Sequence, residues 1–340
     1  INIERGVIYM IKTYDCKLDL FETEVAIKKV KDFFERALAY ELNLTRVSAP
    51  LYVRKSSGLN DDLSGVERPV KFDTHWDRNE EYQIIHSLAK WKRMALKRYK
   101  FPVHTGLYTD MNAIRRDEDL DNIHSMYVDQ WDWELIINKE ERTTETLKAI
   151  VKDIYKALRK TEEFINREYP VFSTKLPEDI FFITSQELED AYPELTAKER
   201  ENEICRVHKA VFISQIGKTL RSGKKHDGRA PDYDDWELNG DILVWNPVLE
   251  QGFELSSMGI RVSEESLQLQ LKLDGKEERK ELPFHKSLIA KELPYTVGGG
   301  IGQSRICMFF LEKLHIGEVQ ASIWPEEMVE EFAKIGAHFL

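Results

Sequence analysis

The sequence predicts an α+β fold, an antiparallel β-sheet core flanked by helices, on three observations. Strand-like runs follow one another across irregular polar loops without regular strand–helix–strand alternation, which disfavours a Rossmann-type sheet. Two long stretches, 21–40 and 144–168, carry apolar residues at helical spacing and so need a surface to pack against. The 340 residues are 42% hydrophobic and 32% charged, the composition of a globular chain long enough to bury a sizeable core. No apolar run approaches the roughly 18 residues of a membrane helix; Ile306 through Leu311 gives six.

The elements follow in order. In 21–40, Val30, Phe33, Phe34, Ala37 and Leu38 form one apolar helical face. The run 44–51 alternates like a strand, and Pro50 must lie at its edge or end because it has no N–H to pair. Residues 56–65 are polar and loop-like. Residues 84–98 read as a helix bearing Lys90, Lys92, Arg93, Lys97 and Arg98. Two strands over 106–134 flank a charged turn, Arg115-Arg116-Asp117-Glu118-Asp119. In 144–168, Leu147, Ile150, Val151, Ile154, Tyr155 and Leu158 make a helical stripe. A buried strand is expected at 180–184, then helices at 186–192 and 197–208 and a strand at 211–215. After a polar loop over 222–235 come strands at 238–245 and 253–261. Helices are expected at 263–273, 284–291 and 304–314. Gly298-Gly299-Gly300 reads as a chain break before the last of these.

Charge and cysteine usage narrow the function. With 49 Lys+Arg against 60 Asp+Glu the net charge is −11, which argues against nucleic acid as the main ligand. Cys16, Cys205 and Cys307 are too far apart for a disulfide framework or a metal knuckle, so a cytoplasmic chain is expected. There is no Gly-x-Ser-x-Gly elbow and no Walker loop. His86 and His124 are lone histidines with a structural reading.

Four constellations could carry chemistry. The cluster Gly298-Gly299-Gly300-Ile301-Gly302-Gln303-Ser304-Arg305 lacks dinucleotide-loop spacing. It is either a tight turn with a surface arginine, or a place where backbone approaches a flat or anionic ligand beside Arg305. Asp241 and Glu254 lie inside apolar strands, costly unless paired, solvated or bound to Mg²⁺ on nucleotide phosphates. Strand alternation places Gln130, Asp132 and Glu134 on one face and Asp129, Trp131 and Trp133 on the other. That pattern fits a polar pocket on the sheet or a solvated face. The loop with Arg229, Asp232, Asp234 and Asp235 is either a lid or an acidic surface loop.

These pieces resemble class II aminoacyl-tRNA synthetases. The helix 21–40 with the strand ending at Pro50 is similar to their motif 1. Arg115 to Asp119 with Tyr127-Val128-Asp129-Gln130 is similar to motif 2, and Gly300-Ile301-Gly302-Gln303-Ser304-Arg305 to motif 3. Longer strings resemble the ammonia-dependent asparagine synthetases of the A type, the aspartate–ammonia ligase family. They are Asp62-Leu63-Ser64-Gly65, His86-Ser87-Leu88-Ala89-Lys90-Trp91-Lys92-Arg93, Tyr127 through Glu134, Arg229 through Trp236 and Leu238 through Arg261. The likeness runs from about residue 21 to 324.

The resemblance implies a single class II synthetase-like catalytic domain over 21–340, after an extension over 1–20 of unknown role. It implies a homodimer working without tRNA, and no membrane or nucleic-acid partner. The implied reaction joins L-aspartate, ammonia and ATP into L-asparagine, AMP and pyrophosphate through a β-aspartyl-adenylate. Carried over residue by residue, Arg115 (with Arg116 as rival) grips the α-phosphate, and Arg305 the adenine or γ-phosphate. Glu118, Arg229, Asp234, Ser256 and Gly302 are further nucleotide contacts. Asp241 and Glu254 hold Mg²⁺. Lys92 and Arg261 hold the unreacting carboxylate of aspartate, and Asp61, Gln130, Asp132 and Ser257 complete its contacts. Asp61 is also a candidate catalytic acceptor of a proton from ammonium. An aspartyl- or asparaginyl-tRNA synthetase would carry an added anticodon-binding barrel, for which this chain has no room before residue 21. Candidates for every catalytic role argue against a non-catalytic paralogue.

Overall fold

The computed structural model describes residues 14–61, 63 and 67–340. Most of the expected extension over 1–20, and most of the string 62–65, lie outside the described residues.

Helix α1 (Leu20–Glu41) starts where Asp19 accepts from Glu22 N at 2.8 Å while Glu22 returns a carboxylate to Asp19 N at 3.1 Å, a reciprocal cap. Its buried stripe, Ala26, Ile27, Val30, Phe34 and Leu38, packs on the main sheet and on a second long helix, Thr144–Glu168. Phe33 of the first stacks on Phe164 of the second, ring centroids 4.4 Å apart. The predicted strand over 44–51 is two strands, β1 (Leu44–Arg46) and β2 (Tyr52–Arg54), interrupted around Pro50. β2 joins β3 (Lys71–Phe72) and β4 (Tyr82–Ile84) in a small antiparallel sheet ordered β2-β4-β3. Helix α2 (Ala89–Tyr99) therefore begins five residues later than predicted, because Ile84 is paired in β4.

The main sheet continues with β5 (Gly106–Ile114) and β6 (Tyr127–Ile136). After the Thr144–Glu168 helix, now α3, come β7 (Phe181–Thr184), α4 (Ser185–Ala191), α5 (Ala197–His208) and β8 (Ala210–Ser214). β9 (Asp234–Asn246) and β10 (Gln251–Arg261) form a long hairpin, followed by α6 (Glu264–Leu273) and α7 (Pro283–Ile289). β11 (Thr296–Gly302) leads straight into α8 (Gln303–Phe310), and α9 (Glu326–Ala333) closes the chain.

The eight strands are ordered β1-β5-β6-β11-β10-β9-β8-β7. The sheet is mixed rather than purely antiparallel: β1 runs parallel to β5 and β7 parallel to β8 at its two edges. Both pairs are joined by crossovers carrying helices, α2 in one and α4–α5 in the other, and such a connection returns the chain in the same direction. β7 is an edge strand with Phe181 exposed, not the buried strand predicted.

One sheet face is apolar. Trp131, Trp133, Phe253, Met258, Ile260, Val297 and Ile301 pack beneath α1, α3 and α8 in the largest core cluster. The other face carries the polar residues of the same strands. The triple glycine is a correction to the prediction, since Gly298, Gly299 and Gly300 continue β11 in register with β6 and β10.

Candidate active site

A cleft of about 580 Å³ opens on the polar face. Its floor follows from strand register. Asp241, Ser257, Gly300 and Asp132 are successive partners across β9, β10, β11 and β6, so they share one face in one row. On β11 the positions after Thr296 on this face, Gly298, Gly300 and Gly302, are glycines, and for the first two the reason is steric. A Cβ on Gly298 would overlap Glu134 Oε2 and stand 2.7 Å from Arg261 Nη2; one on Gly300 would overlap Gln130 Oε1 and stand 3.0 Å from Asp132 Oδ1. The polar side chains of β6 lie in space that β11 leaves empty.

One end of the cleft is a buried ion network. Arg261 donates from Nε to both oxygens of Glu134 (3.0 and 3.1 Å) and from Nη2 at 2.8 Å, and pairs through Nη1 with Asp234. Thr296 Oγ1 donates to Glu134 at 2.7 Å. Lys92, on α2, places Nζ 2.9 Å from Asp132, 3.9 Å from Glu134 and 3.0 Å from the Gly299 carbonyl. Burial works against the Glu134 charge, but Arg261 and Lys92 outweigh it and hold the carboxyl below its usual range. Burial and the neighbouring Arg261 push the Lys92 ammonium down, against the pull of Asp132 and Glu134.

The other end combines arginines and acids. Arg115 lines the cleft, with its Nε buried and lacking an acceptor among the described residues, whereas Arg116 is exposed. Glu118 lines the cleft in the same hairpin, which Asp117 ties to Arg68 at 3.0 Å. Arg305, in the first turn of α8, donates to the Glu254 carbonyl at 3.0 Å and lies 3.6 Å from its carboxylate and 5.6 Å from the Phe253 ring. Arg229 pairs with Asp241 at 2.6 Å and donates to Ser257 Oγ. Burial raises the Asp241 carboxyl; Arg229 opposes this, Glu254 and Asp227 add to it, and the carboxyl is pushed up to about 7.

Of the predicted residues, Asp61, Lys92, Arg115, Glu118, Gln130, Asp132, Arg229, Asp234, Glu254, Ser257, Arg261, Gly302 and Arg305 all line this one cleft. Two do not. Ser256 turns its hydroxyl to the Gly300 carbonyl at 3.0 Å, and Asp241 lies behind Arg229. Asp234 starts β9 rather than riding on a mobile loop, and its partner is Arg261. Asp61 is buried and accepts from Leu63 N at 3.1 Å; its carbonyl meets His86 Nδ1 at 3.0 Å.

Sequence reasoning missed Glu134 as the partner of Arg261, although its place in the alternation with Gln130 and Asp132 was the signal. It also missed Tyr233, whose ring lies 5.8 Å from the Arg261 guanidinium on the cleft wall, and for which no charge or spacing gave a signal.

Comparison with known proteins shows the family. A sequence model described as aspartate-ammonia ligase matches residues 21–336. A Clostridium tetani protein named aspartate–ammonia ligase is 69% identical, over 94% of both chains. A Ruminiclostridium cellulolyticum protein of the same name is 66% identical, over 94% of this chain and 95% of the other. Among solved structures, asparaginyl-tRNA synthetase from Pyrococcus horikoshii, complexed with asparaginyl-adenylate, superposes with a TM-score of 0.63. At 15% identity, covering 89% of this chain and 70% of the other, that likeness concerns the fold alone. The chain belongs to the aspartate–ammonia ligase family.

Proposed function

We propose that this cleft is where the chain makes L-asparagine from L-aspartate, ammonia and ATP, through a β-aspartyl-adenylate and with release of AMP and pyrophosphate. The observation that carries the assignment of the site is the division of one cleft between two charged groups. Buried cations, Lys92 and Arg261, stand at one end, and Arg115, Arg305 and the acids Asp241 and Glu254 at the other.

A carboxylate resists attack by ammonia because it is anionic and has no good leaving group. Joining it to the α-phosphate makes AMP the leaving group. The protein's contribution is to hold the two anions together and to stabilise the charge that builds between them. In this reading Lys92 and Arg261 hold the unreacting end of aspartate, with Asp61, Gln130, Asp132 and Ser257 fixing its orientation. Arg115 reaches the α-phosphate with a guanidinium that still has an N–H to give. Arg305, Glu118 and Gly302 hold the nucleotide.

The donors at Asp241 and Glu254 suit Mg²⁺, which binds oxygen and typically takes one or two carboxylates plus substrate phosphates. Burial is the main reason the Asp241 carboxyl is raised; Glu254 and Asp227 add to it and Arg229 opposes it, so Arg229 already supplies part of the positive charge this acid calls for. A bound Mg²⁺ would supply charge neutralisation for the phosphates. Asp61 is the proposed acceptor of the ammonium proton. A homodimer is part of the reading: α1, in the segment similar to motif 1, exposes Leu20, Phe21 and Val25 at its start and Tyr40 at its end. The same reading places the chain in the cytoplasm.

Aspartate-dependent pyrophosphate release tests it, measured with ammonia and compared with glutamine and with tRNA. Aspartate carrying ¹⁸O in its β-carboxylate is expected to pass label to AMP. Label in inorganic phosphate with ADP formed would exclude the adenylate route.

A further inference from the structure

We propose that Asp129 is a positioning residue, which sets Arg305 in place for the nucleotide and ties it through Lys31 to helix α1; the inference rests on reading the cleft as an adenylation site. The start of α8 needs an outside partner. Its first N–H groups have no acceptor within the helix, and Gly302, which precedes it, has no side chain to cap them. Arg305 is the third residue of α8, so its charge belongs to the positive end of the helix. A carboxylate from another element answers both needs. Ser304 N donates to Asp129 Oδ1 at 3.1 Å, the bond an N-cap side chain would accept, and Ser304 Oγ donates to Asp129 Oδ2 at 2.8 Å.

Strand alternation explains why Asp129 is available. On β6 it shares a side with Trp131 and Trp133, which pack beneath α1 and α8, whereas Gln130 and Asp132 face the cleft. Asp129 also borders the cleft, but it has nothing left to offer a ligand. An ionised carboxylate accepts about four hydrogen bonds, and here each oxygen already has two donors. Oδ1 takes Ser304 N and, at 3.2 Å, Gln320 Nε2. Oδ2 takes Ser304 Oγ and, at 2.9 Å, Lys31 Nζ. The Asp129 side chain is 7% exposed, against 40% for Glu254, which faces the same cleft. Asp129 therefore acts through what it holds. Gln320 Nε2 also donates to Ser304 Oγ at 3.1 Å, and Gln303, the first residue of α8, donates to Asp110 at 3.0 Å. The helix start is thus fixed from several sides before Arg305 leaves it.

The link to α1 is Lys31, whose ammonium offsets a carboxylate that would otherwise be buried with hydrogen bonds but no counter-ion among these partners. Asparagine at 129 would keep the shape and lose the charge. Its amide would also turn an NH₂ toward either Ser304 N–H or the Lys31 ammonium, donor against donor. Methionine at 31 removes the second of these conflicts and lets the amide oxygen stay on Ser304 N. A shift of about 1 Å in a group aimed at the reacting atoms is enough to cost about 10²-fold in rate.

Aspartate-dependent exchange of labelled pyrophosphate into ATP, without ammonia, reads the step in which Arg305 takes part. No exchange by the wild type overturns the adenylation reading, and this proposal with it. Given exchange, Asp129→Asn should lower kcat/KM for ATP about 10-fold or more, while KM for aspartate stays within about 2-fold. In an Arg305→Ala background the same substitution should change the rate by no more than about 2-fold, because a residue that acts through Arg305 has nothing left to position. Adding Lys31→Met to Asp129→Asn should recover part of the loss. Should Asp129→Asn melt below the assay temperature, Ser304→Ala, which removes one of the two bonds to Asp129, takes its place in the same cycle. The role of Asp129 alone is overturned if exchange matches wild type, if KM for aspartate rises as much as KM for ATP, or if the loss is undiminished without Arg305, the mark of a residue that merely holds the fold. The link to α1 is overturned if Lys31→Met recovers nothing.

Discussion

Replacing Gly298 by alanine adds one methyl group to the polar face of the sheet beside the cleft, and the structure says where it goes. The new Cβ would overlap Glu134 Oε2 and stand 2.6 Å from its Cδ and 2.7 Å from Arg261 Nη2. Glu134 cannot retreat: it is fully buried and fixed by Arg261, Thr296 and Lys92 together. The backbone is extended strand, so alanine meets no φ penalty, and restricting the unfolded chain returns only about 0.4–1 kcal/mol. Against that, breaking a buried ion pair costs about 3–5 kcal/mol because the separated charges stay out of water. The expected net loss is roughly 2–4 kcal/mol, a fall in Tm of about 3–6 °C for a chain of this size. Gly302→Ala is the internal control. Its Cβ would meet Arg305 Cβ at 3.2 Å, near the start of a flexible side chain, and its Tm should stay within about 2 °C of wild type. Thermal melts of the three proteins in one buffer, with KM for aspartate measured alongside, give the answer. A Gly298→Ala protein that melts with wild type and keeps its aspartate KM refutes the view that β11 is glycine to make room for Glu134.

Three other expectations are simpler. Arg305→Ala should lower kcat about 10²-fold, the loss typical of a transition-state charge contact; near-normal turnover would remove its assigned role. Asp61→Asn should change the pH–rate profile for ammonia if Asp61 accepts the ammonium proton, and an unchanged profile would discount it. His315 lies against Phe339, Phe332 and Trp324, and burial pushes its imidazole down to about 3. Unfolded, it protonates near its ordinary value of about 6.5, so stability present above that pH is lost as pH falls from there toward 3. His315→Asn, destabilised at pH 8 by lost ring contacts, should close part of its Tm gap to wild type at pH 5. A gap that widens in acid contradicts the sign.

What was legible in the sequence was what short stretches decide. The helix at Thr144–Glu168 was placed to the residue because its stripe repeats at helical spacing and Thr143 caps it; Ala197–His208 likewise begins at a reciprocal cap, on Thr196. Features set by distant partners were not. Ile84 could not be taken from the predicted helix until β4 was seen to pair with β2. Nor could the parallel edges of the sheet be read from strands that look alike in either direction. The site divides in the same way. The residue types came from motifs, but Arg261 and Glu134 stand 127 positions apart, and only register across β10, β11 and β6 joins them.

The glycines are where the two levels meet. Taken alone, three in a row are a break, because glycine is the residue least committed to any backbone conformation. In the sheet, the alternation on β6 that puts Gln130, Asp132 and Glu134 on the polar face requires the opposing positions of β11, Gly298 and Gly300, to carry no side chain. Bulk on β6 and emptiness on β11 are one design constraint written in two segments of sequence about 170 residues apart. The constraint has a functional consequence. On the proposed reading, the glycines let an anionic ligand lie against β11 backbone, in the cleft that Lys92 and Arg229 also line. On the proposed reading, the same glycines that hid the strand in the sequence leave the floor open where the two substrates are to meet.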